Sequence, residues 1–266
     1  MSSTYLATPG ADFKLADYPT RVKIYKDKTA ARNAIKENAK AISGLSHRLY
    51  GEADRKLLIV LQGMDTSGKD GTTSAIFHRT PPLNVNVASF KSPSKEELSH
   101  DYLWRVHKVV PKKGQITVFN RSHYEDVLIA KVKNFFPADV IEQRYAQINE
   151  FERLLAETGT TILKFMLHIS HETQGERLRD RLVNPDKRWK FNPGDLDDRA
   201  LWPDFMKAYE TMVQKTSTAH APWHVIPSDS RKTRGAIISG IVRETLEKMD
   251  PQYPDPGYRP EQFQID

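Results

Sequence analysis

The chain has 266 residues, 38% hydrophobic and 28% charged, which suits one folded core with room for a small subdomain and excludes a disordered composition. It has no cysteine, so disulfides and thiol chemistry are excluded, and no apolar run long enough to span a bilayer. Forty basic residues against 34 acidic ones leave a charge of +6, which favours an anionic partner without choosing among nucleic acid, nucleotide, polyphosphate and acidic lipid.

The opening Met-Ser-Ser-Thr-Tyr lacks the basic and apolar regions of a secretory signal, so a cytoplasmic location is expected. Residues 1–27, polar and irregular to about Arg21, read as an arm on the surface. From Lys28 to Tyr50 the apolar positions Ala31, Ile35, Ala39, Ile42, Leu45 and Leu49 step by three or four, predicting a helix with one buried stripe. Leu57–Leu61 is a continuous apolar run, the pattern of a strand covered on both faces in a parallel sheet. Further strands are predicted at Val85–Phe90, Ile116–Phe119, Thr161–Ile169 and Trp223–Ile226. Helices are predicted at Ser94–Lys108, Ala138–Glu157 and Arg231–Met249, the last with Ile238, Ile241, Val242, Thr245 and Met249 on one face. This alternation predicts an α/β fold with a parallel central sheet and right-handed crossovers. Residues 172–215, highly charged and helical, read as a lid inserted over the carboxyl edge of the sheet, and residues 250–266, rich in proline, as an extended tail.

Directly after the first buried strand comes Gly63-Met64-Asp65-Thr66-Ser67-Gly68-Lys69-Asp70-Gly71. The spacing of Gly63 and Gly68-Lys69 matches a phosphate-binding loop. Its glycines let backbone N–H groups face inward, a helix N-terminus adds positive potential, and the lysine reaches the phosphates. A glycine-rich turn of no function is the competing explanation, and the strand–loop–helix context argues against it. Asp70 stands where such loops carry the Ser or Thr that ligates Mg²⁺, so metal binding must rely on other carboxylates, Asp65 first. The third strand runs into Asn120-Arg121-Ser122-His123-Tyr124-Glu125-Asp126. Arg121 offers a planar fork for phosphate, and Glu125 and Asp126 could position Mg²⁺ or an acceptor. The alternative for Glu125 is a capping box with Ser122.

These two motifs, with Ser89-Phe90-Lys91, His100 to Arg105, Lys187-Arg188-Trp189-Lys190 and Asp195-Leu196, resemble the polyphosphate kinase 2 family over about residues 20–250. The resemblance implies a three-layer, thymidylate-kinase-like P-loop kinase fold with a helical lid. It also implies Mg²⁺-dependent phosphoryl transfer (Mn²⁺ being the alternative ion) between inorganic polyphosphate and adenine or guanine nucleotides, in a dimer or tetramer without nucleic acid or membrane. Many members have an acid where this chain has Asn120; the pattern of Asn120 and Glu125 resembles the branch that accepts both nucleoside mono- and diphosphates.

On this reading Asp65, Lys69 and Arg121 carry the chemistry. Gly63, Met64, Thr66, Ser67, Gly68, Asp70, Gly71, Lys91, Arg105, Asn120, Glu125, Arg177, Arg181 and Arg188 bind phosphate or nucleotide. Asp65 holds the metal, with Asn120 and Glu125 as further candidate ligands. Arg177 and Arg181 share a helix face, Leu178 and Leu182 pack, and Lys91, Arg105, Lys108, Lys112, Lys113, Lys131 and Lys133 are candidates for a basic channel. The lid arginines could instead be a solvated face paired with Glu176, Asp180 and Asp186. Phe90, Tyr102, Trp104 and Tyr124 could stack on a base but suit core packing better, and His168 and His171 read as structural. There is no Gly-x-Ser-x-Gly elbow and no His-Glu-x-x-His. Two rivals remain: an ATP-dependent small-molecule or nucleotide kinase on the same fold, and a polyanion-binding protein without turnover.

Overall fold

Every apolar run of the sequence becomes a strand of one sheet in the computed structural model. It describes residues 2–8 and 10–265; Met1 and Pro9 of the expected arm and Asp266 of the expected tail lie outside the described residues. In chain order the elements are α1 (Lys28–Glu52), β1 (Lys56–Gln62), α2 (Lys69–Phe77), β2 (Val85–Ser89), α3 (Lys95–Leu98), α4 (Trp104–His107), β3 (Ile116–Asn120) and α5 (Ile129–Val132). They continue with α6 (Ala138–Glu157), β4 (Thr160–His168), α7 (His171–Val183), α8 (Pro185–Arg188), α9 (Gly194–Ala200), α10 (Trp202–Thr216), β5 (Trp223–Pro227) and α11 (Arg231–Met249). The strands are all parallel, in the order β2-β3-β1-β4-β5. Among the described residues no helix is long and apolar enough to cross a membrane.

The sheet has a core on each face, which is why β1 reads as unbroken apolar sequence. Leu57, Ile59 and Leu61 join Ile42, Leu49, Ile76, Ile238 and Ile241 from α1, α2 and α11. Leu58 and Val60 join Ile148 and Phe151 of α6 and Met212 and Val213 of α10 on the other face. Each such side chain stabilises the fold by about 1.5–3 kcal/mol on full burial. The α1 stripe is buried at all six expected positions. Asp27 starts that helix by accepting from the N–H groups of Thr29 and Ala30, both at 2.8 Å.

Five expectations need correction. The stretch predicted as one helix over 94–108 is two short helices, because Asp101 Oδ1 accepts from Leu103 N and Trp104 N and restarts the chain there. The N-terminal arm does not merely lie on the surface: Ala7, Phe13 and Leu15 are buried, and Ala7 N donates to Trp223 O beside edge strand β5. Within 172–215, α10 sends Phe205, Ala208, Tyr209, Met212 and Val213 into the core, so only the part before Leu201 is free of the main core. Leu182 does not pack like Leu178, being 45% exposed near the end of α7, and in α11 Leu246 takes the inward place expected of the half-buried Thr245.

Candidate active site

The loop between β1 and α2 lies at the carboxyl edge of the sheet, where α/β proteins hold ligands. Two glycines are required there. Gly63 has φ +151 and packs so closely on Leu167 that a Cβ would stand 2.8 Å from its carbonyl oxygen. Gly68, the residue before α2, has φ +100, and a Cβ there would run into the guanidinium of Arg234. Lys69 is buried, and its ammonium folds back across the loop to Gly63 O at 2.7 Å and Met64 O at 3.3 Å. Burial and the nearby Arg121 hold Lys69 below the usual lysine range, with Asp65, Glu125 and Asp70 opposing them.

β3 brings the second motif alongside, since it pairs with β1 through Leu61 opposite Asn120. Arg121 has φ +60 and donates its N–H to Leu61 O at 3.1 Å, which turns its side chain onto Asp65: Nη2 to Oδ1 is 2.5 Å. Burial alone would raise the Asp65 carboxyl, but Lys69 and Arg121 outweigh it and keep the group ionised below the ordinary aspartate value. Asn120 Nδ2 donates to Asp70 Oδ1 at 2.5 Å, so the two residues that depart from the usual loop chemistry face one another. Glu125 is half-buried; burial raises its carboxyl, Arg121 and Lys69 draw it back, and Asp65 pushes it up again. Ser122 caps the turn by accepting from Tyr124 N at 3.2 Å, while the field on Glu125 comes from Arg121, Lys69 and Asp65.

Above the loop is a cavity of about 380 Å³. Its charged lining is Lys69, Arg121, Arg177, Arg181, Lys187, Lys190, Arg231 and Arg234 against Asp65, Asp70 and Asp180, eight cations to three acids. Thr66, Gly68, Gly71 and Asn120 complete it. A wider cavity of about 940 Å³ shares Arg177, Asp180 and Arg231 with it and continues past Arg21, Lys23, Lys26, Lys28 and Lys232, with Asp27, Glu176 and Asp229 among them.

The expected site residues thus divide. Asp65, Lys69, Arg121, Thr66, Gly68, Asp70, Gly71, Asn120, Arg177 and Arg181 meet at the cavity, and Glu125 stands within the field of Lys69 and Arg121. Met64 is turned into the core, so only its backbone can serve, and Ser67 is likewise buried. Lys91 and Arg105 do not line either cavity: Arg105 donates to Lys91 O at 2.9 Å and sits 3.9 Å from both Glu97 and Asp126. Arg188 points back along its own segment to Leu182 O at 3.2 Å. None of the expected channel lysines lines either cavity. Lys112 and Lys113 precede β3 and so lie at the amino edge, where Lys113 pairs with Asp54 at 2.8 Å; Lys133 pairs with Asp198 at 2.8 Å. Phe90 and Tyr124 are core residues, and His171 leans on Trp202 with ring centres 4.9 Å apart.

Arg177 does more than share a face with Arg181. Its two terminal nitrogens each reach 2.8 Å, one to Thr66 O and the other to Ser228 O and Asp229 O, tying the loop to the turn after β5. Arg181 pairs with Asp195 at 2.9 Å. Burial, aided by Asp65, lifts the Asp195 carboxyl to about 6. Arg231 and Arg234 were missed from the sequence, and Arg234 is the more deeply placed. It is buried, donates to Thr72 Oγ1 at 2.9 Å and to Ser67 O at 2.7 Å, and is pulled down to about 9 by burial and by Arg177 and Arg231. Among the described residues no carboxylate forms an ion pair with it. The basic run Arg231-Lys232-Thr233-Arg234 directly after a strand end was the available signal.

A resident metal would find no closed cage: among the described residues, no three His, Cys, Asp or Glu side chains gather to hold one. Asp65, ionised and at the loop, fits an ion held by one or two carboxylates together with phosphate oxygens and water.

Residues 25–254 match the family model for polyphosphate kinase 2. The chain is 47% identical over 264 residues to an AMP/ADP-polyphosphate phosphotransferase of Meiothermus ruber, covering 98% of this chain and 99% of the relative. It is 35% identical to an ADP-polyphosphate phosphotransferase of Rhodopseudomonas palustris, covering 96% and 94%. The crystal structure of polyphosphate kinase 2 from Arthrobacter aurescens superposes with a TM-score of 0.93 at 37% identity, over 97% of this chain and 93% of that one. The chain belongs to the polyphosphate kinase 2 family.

Proposed function

We propose that this member of the polyphosphate kinase 2 family moves a phosphoryl group between inorganic polyphosphate and nucleoside mono- or diphosphates of adenine or guanine. The observation that carries the reading is Arg234, buried against the phosphate loop and unpaired by any carboxylate among the described residues, in a lining where cations outnumber acids eight to three. Such a lining is unfavourable unless an anion completes it. The second cavity, with Arg21, Lys23, Lys26 and Lys28 beyond Arg231, gives a long anion room to continue, which a single nucleotide phosphate would not need.

In the forward direction a terminal oxygen of the nucleotide phosphate attacks the end phosphorus of polyphosphate. The bridging P–O bond breaks, and the polymer leaves one unit shorter. Catalysis of this step is positioning and charge neutralisation. Lys69 and the loop N–H groups hold the transferred group, and Arg121 steadies the charge that spreads over its oxygens. Asp65 orients Arg121 through their ion pair and would hold Mg²⁺, or Mn²⁺ in its place, with Asn120 and Glu125 as further candidate ligands. The ion would neutralise phosphate oxygens. The attacking phosphate is already ionised near neutral pH, so no strong base is needed. Residues 172–200, carrying Arg181, Lys187 and Lys190, serve as the lid that excludes water.

A cytoplasmic dimer or tetramer without nucleic acid is the corresponding physiological form, checked by sedimentation of the purified chain. The activity is tested with polyphosphate or ATP as donor against AMP, ADP, GMP and GDP, with and without Mg²⁺. Metal-dependent product from polyphosphate is expected. Transfer from ATP alone would favour the small-molecule kinase, and DNA retention with no turnover would favour the passive polyanion binder.

A further inference from the structure

Beneath the Asn120–Asp126 motif lies a charged cluster that reaches no solvent. Lys164 of β4 and Glu152 of α6 are both 0% exposed, as are His123, Tyr124 and Thr216. The Lys164 ammonium uses all three of its protons: Glu152 Oε2 is at 2.6 Å, the Tyr124 hydroxyl at 2.7 Å and Thr216 O at 2.7 Å. Tyr124 donates to Glu152 Oε1 at 2.7 Å, and His123 Nε2 stands 3.3 Å from the same oxygen. A third anchor comes from the side: Gln62 Nε2 donates to Ser122 Oγ at 3.2 Å. Two successive side chains of one turn are therefore pinned by a single buried carboxylate, and the residues flanking that turn are Arg121 and Glu125.

We propose that the Lys164–Glu152 pair is a positioning device, which through Tyr124 and His123 sets the turn that aims Arg121 and Glu125 at the phosphate loop. A buried ion pair is a weak source of stability, and well-packed apolar residues of like volume often do as well or better. A lysine in the middle of an otherwise apolar strand therefore needs another reason to be there. The cluster has no path to solvent, so it cannot pass protons to the substrate. What it does have is direction. Its hydrogen bonds fix the turn in angle as well as distance, and Arg121 holds a left-handed backbone angle that needs such support. The reacting groups tolerate little displacement, since errors near 1 Å can lower a rate by about 100-fold.

The inference rests on the transfer reaction proposed above, and two variants test it. Tyr124→Phe removes one hydroxyl and leaves the Lys164–Glu152 contact intact. Its kcat is expected to fall about 10-fold, with the KM values for nucleotide and polyphosphate within about two-fold of wild type. The triple variant Tyr124→Phe, Glu152→Leu, Lys164→Met replaces the cluster by apolar volume. Thr216 O and His123 Nε2 lose their partners in it, which offsets the gain from removing a buried ion pair, so it is expected to fold with a Tm within about 10 °C of wild type and yet to lose kcat by about 100-fold. A merely structural role would move stability and leave kcat per folded molecule alone. Either variant, folded and turning over at the wild-type rate, overturns the proposal; if the triple variant does not fold, Tyr124→Phe decides. Crystal structures of the empty variants give a readout independent of substrate, even if the wild type proves not to use polyphosphate. Arg121 should have left hydrogen-bond reach of Asp65, and an unmoved turn would refute the positioning role.

Discussion

Replacing Arg234 by methionine separates what the anion cradle costs in stability from what it does. The side chain is 3% exposed, and its guanidinium is pulled down to about 9 from 12.5 by burial, Arg177 and Arg231. At ~1.4 kcal/mol per pH unit this is about 5 kcal/mol of charge held against its preference. A base with a depressed folded value carries that deficit in full below the folded value, so it is present at neutral pH and shrinks only as pH rises through 9. The hydrogen bonds to Thr72 Oγ1 and Ser67 O offset about 1.5–3 kcal/mol each. The two sides nearly cancel. Arg234→Met should therefore leave the empty protein within about 2 kcal/mol of wild type, a Tm change of no more than about 8 °C. Tripolyphosphate with Mg²⁺ at about 100 times its Kd should stabilise wild type by about 2.7 kcal/mol and the variant by almost nothing. Calorimetric melts with and without tripolyphosphate measure both quantities. A variant that melts more than about 15 °C lower while keeping the full ligand shift would show Arg234 to be a brace for the loop and no more.

Asp65→Asn should lower kcat by at least about 100-fold while changing Tm by only a few degrees, because its pair with Arg121 is partly solvated, at 20% and 37% side-chain exposure; near-normal turnover would remove Asp65 from the chemistry. Gly68→Ala forces a side chain into a backbone angle and a space that exclude it, and should cost about 3 kcal/mol by denaturant melts. The control, Gly44→Ala within α1, has nothing within 4 Å and should stabilise by about 0.5–1 kcal/mol. The Asp195 carboxyl titrates near 6 in the folded chain against 3.8 ordinarily, so the folded form holds more protons in that window and stability falls as pH rises through it. Asp195→Asn should flatten the Tm profile between about pH 4 and 6.5, and a profile parallel to wild type would refute the assignment.

The α/β fold could be read because its signals are local. A strand covered on both faces must be apolar throughout, so Leu57–Leu61 announced its place, and the stripe of α1 announced which side it buries. The failures have equally local causes that periodicity does not register. A single carboxylate, Asp101, recaps the chain and splits the helix expected over 94–108. The core face of α10 was present as Phe205, Ala208, Tyr209, Met212 and Val213, but charged sequence on its N-terminal side drew the whole interval into one surface feature. The arm's anchors, Phe13 and Leu15, are two apolar residues in a polar stretch, and only the proximity of β5 and α10 gives them a core to enter.

The site was legible where its parts are contiguous and not where they are assembled. Gly63 to Gly71 is one loop, and its spacing carries its chemistry. Arg234 lies more than 160 residues from Ser67 and Thr72, and reaches them only because β4 sets β5 beside β1's loop. More important, a sequence shows cations without showing which are already neutralised. Lys113, Lys133 and Arg105 stood out as candidates where Arg234 did not, yet each has a carboxylate within 4 Å. What marks an anion site is therefore not the number of basic residues but the ones that folding buries and leaves without a partner. By that measure the +6 charge says little, and the first turn of α11, which none of the motifs contains, says most.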